Sequence, residues 1–514
     1  MLLSTTTRQS AASLFLMAVA ALGAAIVVLV IFLGGFKLVF SLFALGLFVT
    51  MLLACGNTRL FFLWGLILTA PFELNASFMI IPHIGGAASI AFDAVDIFIF
   101  GLLIFLIRDF SIGYRTNMRF PKVLYWWIGL GLLGVITMLI GPMRAVAGLE
   151  VFRMIKLALL FIVIVNEVVR VKQIEQVVAA LMIAVALQSI VALLQYTLNL
   201  NLGAQILGEV TEAAAEYTSQ ATYGLDAQGF TYRVGGLIGH PNLLAIFLAM
   251  LMPIGISILF SGIKPLYKFL TAITLMMGIV ALVLTLSRSG WIAFMLAFVT
   301  LMAVSFTHPK LKRKYVFARL SIIVTIVVLV AALSGPIFKR LTQSDEGAVS
   351  FRFEFMEIAM RMAMDKPILG HGLNSFVWHM HPYSIWETLT GVQGNFETIA
   401  DWPVVHNIYL LIWSEQGTLG LILYLGFYFH LMRISLRGIG TYKDPFLALV
   451  NLGCFAGLIA LAVDGLASFF IRNSNCGRVF FIIAALIVAI QWWHMENTDS
   501  PNVKSAADLA RPPG

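Results

Sequence analysis

Three side chains that could bind a phosphate or move a proton stand where polar connections meet long apolar runs. Arg233 precedes a run that begins near residue 242, Arg288 lies in a short connection between two runs, and His406 lies where a long polar segment meets the next run. An arginine within a membrane helix costs roughly 2.5–3.5 kcal/mol, and less at the interface, so its presence beside such runs calls for a partner. These three residues are therefore candidates for a functional site.

A diphosphate is the ligand that would suit the two arginines. Guanidinium groups make bidentate, charge-assisted hydrogen bonds with phosphate oxygens and stay protonated throughout the physiological pH range. A pair of them could hold a polyprenyl diphosphate at the membrane surface and neutralise charge as the diphosphate leaves. The alternative interpretation is structural, since either arginine could extend to lipid phosphates or pair with a loop carboxylate.

His406 also has two interpretations. An imidazole that titrates near neutral pH could remove the proton of an acceptor hydroxyl that attacks the anomeric carbon of a sugar, or could orient that hydroxyl. A histidine where a loop meets a span can equally be a structural hydrogen-bonding group. Glu415 lies inside the following apolar run, where an interhelical hydrogen bond is the expected role.

A loose group of histidines gives a weaker signal. His371, His379 and His381 lie in one polar segment, but no cysteine or carboxylate completes a recognisable ligand set. A polar loop surface is the expected interpretation, and no metal site is predicted. No Walker or Rossmann glycine loop follows a strand-like run, so the sequence supports neither nucleotide-driven transport nor the binding of a nucleotide sugar.

Three carboxylates lie within or beside apolar runs. Asp93 and Asp96 are three residues apart and could share one face of a helix, and Asp464 ends a later run. Polar contacts between membrane spans are the expected role of all three. A proton relay is the rival interpretation, which no basic residue in the same runs supports.

The elements that must position these residues are membrane helices. Hydrophobic residues make up 60% of the 514-residue chain, charged residues make up 11%, and the mean hydropathy is +0.95. A soluble domain cannot bury so much apolar surface. Because the runs reach the length of about 17–25 residues that a bilayer requires and do not alternate as barrel strands do, we predict an all-α, polytopic transmembrane helical bundle of about 12–14 spans.

The charge pattern predicts the orientation of this bundle. The net charge is +8, and basic residues gather in alternate connections, most densely at Lys310, Lys312, Arg313, Lys314 and Arg319. This is the positive-inside pattern, so the charge reflects topology rather than a nucleic-acid partner. We therefore expect a protein of the bacterial inner membrane with both termini in the cytoplasm and its site facing the periplasm. The three cysteines are far apart and predict no disulfide framework.

Apolar runs and polar segments divide the chain into five predicted regions. They are N-terminal transmembrane helices (1–198), a central transmembrane region with a first periplasmic loop and the arginines (199–334), a large periplasmic loop over the site (335–407), C-terminal transmembrane helices (408–496) and a disordered cytoplasmic tail (497–514). Apolar residues at helical spacing predict an amphipathic helix in the large loop: Phe351, Phe355, Ile358, Ala359 and Met362.

Four segments, in this order, resemble the O-antigen ligase and polymerase family of bacterial membrane glycosyltransferases. They are Arg233 followed by Gly239-His240-Pro241-Asn242, the segment from Leu284 to Trp291, the stretch from Phe351-Arg352 to Gly372, and His406-Asn407 followed after nine residues by Gly417-Thr418-Leu419-Gly420. The last spacing looks like the family's His-Asn-x9-Gly-x-x-Gly signature and is the most specific match. Together the segments cover roughly residues 230–425, whereas the N-terminal spans match only as generic helices.

The resemblance implies an inverting, metal-independent glycosyltransferase that needs no cofactor and takes its glycan from undecaprenyl diphosphate. Arg233 and Arg288 would bind the diphosphate, and His406 would be the essential residue near the acceptor hydroxyl. Arg352, His240 and Asn407 would complete the substrate-binding site.

The acceptor divides this hypothesis into two. A polymerase of surface or exopolysaccharide repeat units would extend a lipid-linked glycan, whereas an O-antigen ligase would attach the finished glycan to lipid A-core. The length of the chain and its large loop favour the polymerase. A chain-length regulator or another envelope glycan protein is the protein partner that such a polymerase would need. The sugar, its linkage and the oligomeric state do not follow from the sequence.

Two hypotheses from other classes compete with the enzyme. A flippase or transporter of lipid-linked oligosaccharides would have a similar number of spans, but it predicts charged residues deep in the bundle and short outside loops. A non-enzymatic scaffold would tolerate replacement of Arg233, Arg288 and His406. The polar segment of about 70 residues before His406 favours an enzyme, since loops of that length are usually functional.

Overall fold

The computed structural model describes residue 50, residues 56–199 apart from 84 and 142, residues 202 and 209, residues 223–226 and 229–307, residues 316–338 apart from 333 and 336–337, residues 346–383, and residues 402–498. The chain divides into two units, Met1–Phe62 and Leu63–Gly514, and the candidate site lies in the second. The predicted span near 11–33, nearly all of that near 36–54, and almost the whole predicted tail fall outside the described residues. The predicted division into five regions stays a prediction.

Helices make up nearly all regular structure of the described residues. In chain order they are α1 (Thr58–Thr69), α2 (Ala94–Ser111), α3 (Leu124–Ile140), α4 (Arg144–Glu167), α5 (Val171–Leu198), α6 (Pro241–Leu259), α7 (Pro265–Leu284), α8 (Arg288–Thr307), α9 (Val316–Ala332), α10 (Glu346–Asp365), α11 (Phe376–His379), α12 (Ile408–Thr441), α13 (Pro445–Asp464) and α14 (Ser474–Thr498). Short 3-10 helices lie at Gly236–Ile238, His381–Tyr383 and Phe470–Arg472.

Seven of the described helices are long and apolar enough to cross a membrane, namely α5, α6, α7, α8, α12, α13 and α14. Helices α1 and α3 are apolar but shorter. Helix α4 has 24 residues but carries several charged side chains, which pair inside the bundle. The predicted all-α polytopic bundle is confirmed, and the chain is a multi-pass membrane protein.

The amphipathic helix predicted in the large loop is present as α10. Its residues Phe355, Ile358, Ala359 and Met362 are buried, as their helical spacing requires. Arg352 lies near the start of this helix and is partly buried.

Helices α6 and α13 pack closely at the centre of the bundle. A Cβ atom at Gly453 would lie 2.5 Å from Cα of Ile254, and one at Gly457 would lie 2.4 Å from the carbonyl oxygen of Met250. Small residues let membrane helices approach this closely, so that van der Waals contact can hold them without a hydrophobic driving force. Helix α8 packs on both, and all three helices present one end to the candidate site.

Two antiparallel hairpins interrupt the helices in the described part of the chain, although the sequence pattern predicted no strand. Strand β1 (Asn75–Phe78) pairs with β2 (Ile90–Asp93), and β3 (Tyr223–Asp226) pairs with β4 (Gly229–Tyr232). Four-residue strands are too short for an alternating pattern to stand out among apolar runs. The second hairpin ends directly before Arg233 and so determines where that residue enters the site.

A backbone clamp joins the end of α10 to a kink in α12. We define this α10–α12 clamp as residues 366–372 against residues 414–419. Four hydrogen bonds between backbone groups form it: His371 N–H to Ser414 O (3.0 Å), Gly372 N–H to Glu415 O (2.8 Å), Thr418 N–H to Pro367 O (2.7 Å) and Leu419 N–H to Ile368 O (3.4 Å). It holds α10, which carries Arg352, against α12, which begins directly after His406-Asn407.

Glycine is required at the two closest points of the clamp. Gly417 has φ 63° and ψ −169°, a region that is essentially restricted to glycine, and a Cβ there would lie 2.2 Å from Ile368 O. Gly370 has φ +69°, and its Cβ would lie 2.4 Å from the carbonyl group of Glu415. The first glycine of the His-Asn-x9-Gly-x-x-Gly signature, Gly417, is therefore explained by backbone contact.

Gly417→Ala should destabilise the protein by at least about 1–3 kcal/mol, because the backbone strain adds to the clash with Ile368. Gly440→Ala in the same helix is the control, since a Cβ at that position would meet nothing within 4 Å. The control should be neutral or stabilising by about 0.5–1 kcal/mol. Thermal unfolding in detergent measures both, and equal effects of the two variants would contradict the clamp.

Candidate functional site

Four connections meet at one end of the bundle, which we call the site end. They comprise residues 233–240 before α6, 285–288 between α7 and α8, 402–407 before α12, and 465–473 between α13 and α14. Hydrogen bonds join them in pairs: Arg233 reaches the second connection, and the backbone N–H of Ile408, just past the third, reaches the fourth. The three residues first selected from the sequence lie in three of these connections.

Arg233 is held by two of its guanidinium nitrogens. Nε donates to the carbonyl oxygen of Thr285 at 2.9 Å, and Nη2 donates to Oδ1 of Asn242 at 2.9 Å. The residue is only 6% exposed. Arg233 is thus tied both to the connection that carries Arg288 and to the start of α6.

The turn after Arg233 is shaped by two glutamines of α5. Gln195 Oε1 accepts the backbone N–H of Gly236 at 2.9 Å, and Gln188 Oε1 accepts that of Leu237 at 2.8 Å. Gly236 has φ +59°, and a Cβ there would lie 2.7 Å from Gln188 Oε1. These glutamines were missed from the sequence, although their spacing of seven residues places both on one face of an apolar helix.

His240 caps the start of α6. Its Nδ1 accepts the backbone N–H of Asn242 at 3.2 Å, and Pro241 occupies the first helical position, where the absence of an N–H costs nothing. The predicted substrate-binding role of His240 thus coincides with a structural one.

Arg288 begins α8 in an electrostatically unfavourable place. A helix N-terminus carries partial positive charge, so a cation there is disfavoured and an anion is favoured. The connection also holds Leu286 at φ 53°, a left-handed conformation that is uncommon for a residue with a side chain. An anionic ligand would offset the unfavourable placement of this guanidinium.

His406 presents one ring nitrogen to the protein. Nδ1 lies 3.0 Å from the carbonyl oxygen of Val404, so Nδ1 carries the proton and Nε2 has the acceptor lone pair. The ring packs edge-on against Phe469, with centroids 5.3 Å apart and planes at 81°. The imidazole is therefore fixed in both tautomer and orientation.

Asn407 caps the start of α12. Its Oδ1 accepts the backbone N–H groups of Tyr409 and Leu410, each at 3.0 Å, and its Nδ2 donates to Leu466 O at 3.2 Å. These bonds explain an asparagine after the histidine without any substrate, since asparagine is among the best helix N-caps. Substrate binding by Asn407 stays a prediction.

Positive charge converges at the site end. Burial, followed by the charges of Arg233, His406 and Arg352 in that order, lowers the pKa of His240 to about 3. Burial, followed by the charge of Arg352, lowers the pKa of His406 to about 4 against the opposing effect of the Val404 carbonyl. We call these four residues the electropositive cluster; both imidazoles in it are neutral at physiological pH.

Asp464 brings a carboxylate to the same place. It ends α13, is 1% exposed, and lies beside the hydroxyl groups of Ser289 and Ser468 within the electrostatic range of Arg352. From the sequence, only a polar contact between spans was expected. The structure instead places it next to the connection that carries Arg288.

The histidines of the polar segment lie apart from this cluster. His371 Nε2 lies 3.1 Å from Met362 O, and the His371 ring contacts those of His379 and Tyr383 beneath α10. Burial lowers the pKa of both histidines. Within the described part of the chain, no group of three or more histidine, cysteine or acidic residues is arranged to hold a metal ion.

Asp93 and Asp96 have basic partners from other helices. Lys156 Nζ lies 2.6 Å from a carboxylate oxygen of each, and Arg478 Nη1 lies 2.7 Å from the other oxygen of Asp93. These basic partners do not lie in the same apolar runs as the aspartates, because they come from α4 and α14. Mutual pairing explains why charges are tolerated here.

Comparison with known families identifies part of the chain. Residues 272–425 match a family model described as O-antigen ligase. This segment is similar to the O-antigen ligase family. The resemblance drawn from the sequence motifs is confirmed over this stretch. No curated protein matches the chain.

The segment that matches the O-antigen ligase family starts within α7 and ends within α12. It contains Arg288, Arg352, His406 and the α10–α12 clamp. Arg233 and Asp464 lie outside it and are brought to the same place by α6 and α13.

Gln188→Leu should lower the free energy of unfolding by about 1–3 kcal/mol, because it leaves the buried N–H of Leu237 without its acceptor. Gln176→Leu is the matched control, since Gln176 is a half-exposed glutamine of the same helix. Thermal unfolding in detergent compares the two. A Gln188 variant as stable as the control would show that the turn after Arg233 does not need α5.

Proposed function

We propose that the chain transfers a glycan from undecaprenyl diphosphate to an acceptor hydroxyl at the periplasmic face of the bacterial inner membrane. The observation that carries the proposal is the electropositive cluster, in which Arg233 and Arg352, from two different segments, bring positive charge beside the neutral imidazole of His406. A lipid-linked diphosphate presents its anionic headgroup at the membrane surface. The similarity of residues 272–425 to the O-antigen ligase family supports a reaction of this class.

In this reaction Arg233 and Arg288 hold the diphosphate. The acceptor oxygen attacks the anomeric carbon from the side opposite the diphosphate, so a new glycosidic bond forms as the bond between carbon and phosphate oxygen breaks, with inversion. The electron pair of the broken bond leaves on the diphosphate, whose developing charge the guanidinium groups stabilise. His406 Nε2 accepts the proton of the acceptor hydroxyl.

The energy of this transfer comes from the donor itself. No nucleotide pool exists outside the cytoplasmic membrane, so the leaving group must already be activated on the lipid. Holding donor and acceptor together then supplies much of the remaining rate, because it replaces a bimolecular encounter. The clamped helix α10 would form one wall of the site and place Arg352 there.

Polymerase activity on surface or exopolysaccharide repeat units is the form that we propose first, because the chain is long and has a large loop. Ligase activity toward lipid A-core is the second candidate, and the description of the matched family favours it. The glycans of a deletion strain separate them. Loss of a polymerase leaves single repeats, whereas loss of a ligase leaves long chains unattached.

A transporter is less well supported. It requires functional charges deep in the bundle, and the buried charges of α2, α4 and α14 are paired with one another. The electropositive cluster lies at the ends of helices.

Arg288→Ala and Arg233→Ala should each lower glycan transfer by about 10²–10³-fold, the usual cost of removing one group that stabilises a developing charge. His406→Ala should lower it by a similar factor of about 10²–10⁴. Purified protein in lipid vesicles, supplied with an undecaprenyl-diphosphate-linked repeat unit, gives the rates. Transfer at the wild-type rate by all three variants would show that these residues do not form the site, whereas no transfer by the wild-type protein would remove the enzyme hypothesis.

Arg361→Ala is the control for these arginine variants. Arg361 lies on α10 like Arg352, but it is 41% exposed and pairs with Glu357 one turn away. Such surface pairs contribute only about 0–1 kcal/mol, so neither stability nor transfer should change much.

The pH dependence tests the role of His406. Its pKa lies at about 4 instead of 6.5, so the neutral form is present at neutral pH and is lost only as pH falls through about 4. If neutral imidazole is the base, kcat/KM should stay flat down to about pH 5 and then fall. In Arg352→Gln the acid limb should move to higher pH, because a charge that lowers the pKa is gone. A wild-type limb centred near the ordinary histidine pKa would contradict this assignment.

A further inference from the structure

Arg472 is a buried arginine that the proposed mechanism does not use. It ends the 3-10 helix Phe470–Arg472 in the connection between α13 and α14 and is 6% exposed. Its Nη2 lies 2.5 Å from Glu415 Oε2, and its Nη1 lies 3.0 Å from Glu150 Oε1. Arg472 thus joins α12 to α4 through two carboxylates.

The same connection is held at a second point. Arg153 of α4 pairs with Glu150 and donates from Nη1 to the carbonyl oxygen of Ile471 at 2.8 Å. The two arginines and two carboxylates balance in charge. Residues 471–472 are therefore fixed by side chains from two helices.

Glu415, which pairs with Arg472, also holds the backbone of the segment that follows the α10–α12 clamp. Its Oε2 accepts the backbone N–H of Asn374 at 3.0 Å, and its Oε1 accepts that of Phe376 at 3.2 Å. The interhelical hydrogen bond expected for Glu415 is thus replaced by an ion pair and two bonds to loop backbone. The carboxylate is fully buried, so Arg472 supplies the positive charge that makes its burial tolerable.

The connection between α13 and α14 also contacts the segment that carries His406. The backbone N–H of Ile408 donates to Gly465 O at 2.9 Å and to Ser468 O at 3.0 Å. Phe469, three residues before Arg472, packs edge-on against the His406 ring. A shift of residues 469–472 would therefore move the surface on which the imidazole rests.

Stability alone does not explain a buried pair of this kind. Replacing buried ion pairs by apolar residues of similar volume is often neutral or stabilising, whereas removing one partner is costly. What an ion pair adds is a defined geometry, because two carboxylates must meet one guanidinium.

We propose that Arg472 is a positioning residue for glycan transfer: by joining Glu150 and Glu415, it holds Phe469 against His406 and keeps the imidazole directed at the acceptor hydroxyl. The role rests on the proposed function, because it acts only through His406. Misplacement of a reacting group by about 1 Å can cost about 10²-fold in rate.

Kinetics of three variants test this role: Arg472→Gln, Arg472→Lys and Phe469→Leu. In vesicles supplied with an undecaprenyl-diphosphate-linked repeat unit as donor and acceptor, kcat should fall by about 10- to 10²-fold in Arg472→Gln and Phe469→Leu, with KM within about twofold. Arg472→Lys keeps the charge and should recover part of the rate. The acid limb of kcat should move to higher pH in the first two, because a displaced imidazole is less buried.

Arg119→Gln is the matched control. Arg119 is also a buried arginine, 8% exposed, which pairs with Glu496 and donates to backbone carbonyl groups, but it lies between α2 and α3, outside the site end. Arg119→Gln should lose stability as Arg472→Gln does. Its folded fraction should keep the wild-type kcat and the wild-type pH profile.

Two results would overturn the positioning role. One is a loss of activity in Arg472→Gln that merely follows the folded fraction, as expected for Arg119→Gln. The other is wild-type kcat and pH profile in Phe469→Leu, which decides the matter even if Arg472→Gln does not fold. Failure of the proposed function looks different, because the wild-type protein itself would then transfer no glycan.

Discussion

The cost of placing charge inside an apolar helix bundle is the constraint on which this structure depends. Such a charge must be paired, and ion pairs between different helices meet that demand at Asp93, Lys156 and Arg478 and again at Glu150, Arg472 and Glu415. The pairs also tie together elements that are distant along the chain. In the electropositive cluster, like charges converge instead, which makes the site end the place where an anion is stabilised.

The motif that best marks the family combines chemistry with backbone geometry. His406 carries the imidazole, Asn407 caps the helix that follows, and Gly417 lets the kinked helix meet the end of α10. The nine intervening residues are the length of helix between the cap and the kink. Most residues of this motif therefore have a structural role, so the motif alone does not identify the residue that reacts.

Much of the fold follows from local pattern, and so do the first three site candidates. Apolar run length predicts membrane helices because the bilayer sets that length, and an arginine or histidine at the edge of a run stands out because the bilayer makes it costly. The amphipathic helix α10 was also predicted correctly. Partners that come from other helices could not be found this way. Arg472, Gln188 and Gln195 act on segments far along the chain, and the four-residue strands are set by pairing rather than by a pattern of their own.

The convergence of positive charge has a consequence for the proposed reaction. The same Arg352 charge that would attract a diphosphate also contributes to the low pKa of His406, so this imidazole is neutral at physiological pH but only weakly basic. A bound diphosphate would add negative charge within the same electrostatic range and raise that pKa, since opposite charge favours the protonated form. The imidazole would then become a stronger base only while donor is bound. Proton removal from the acceptor would thus be coupled to the presence of the sugar that it attacks, and an acceptor reaching the site alone would meet a poor base.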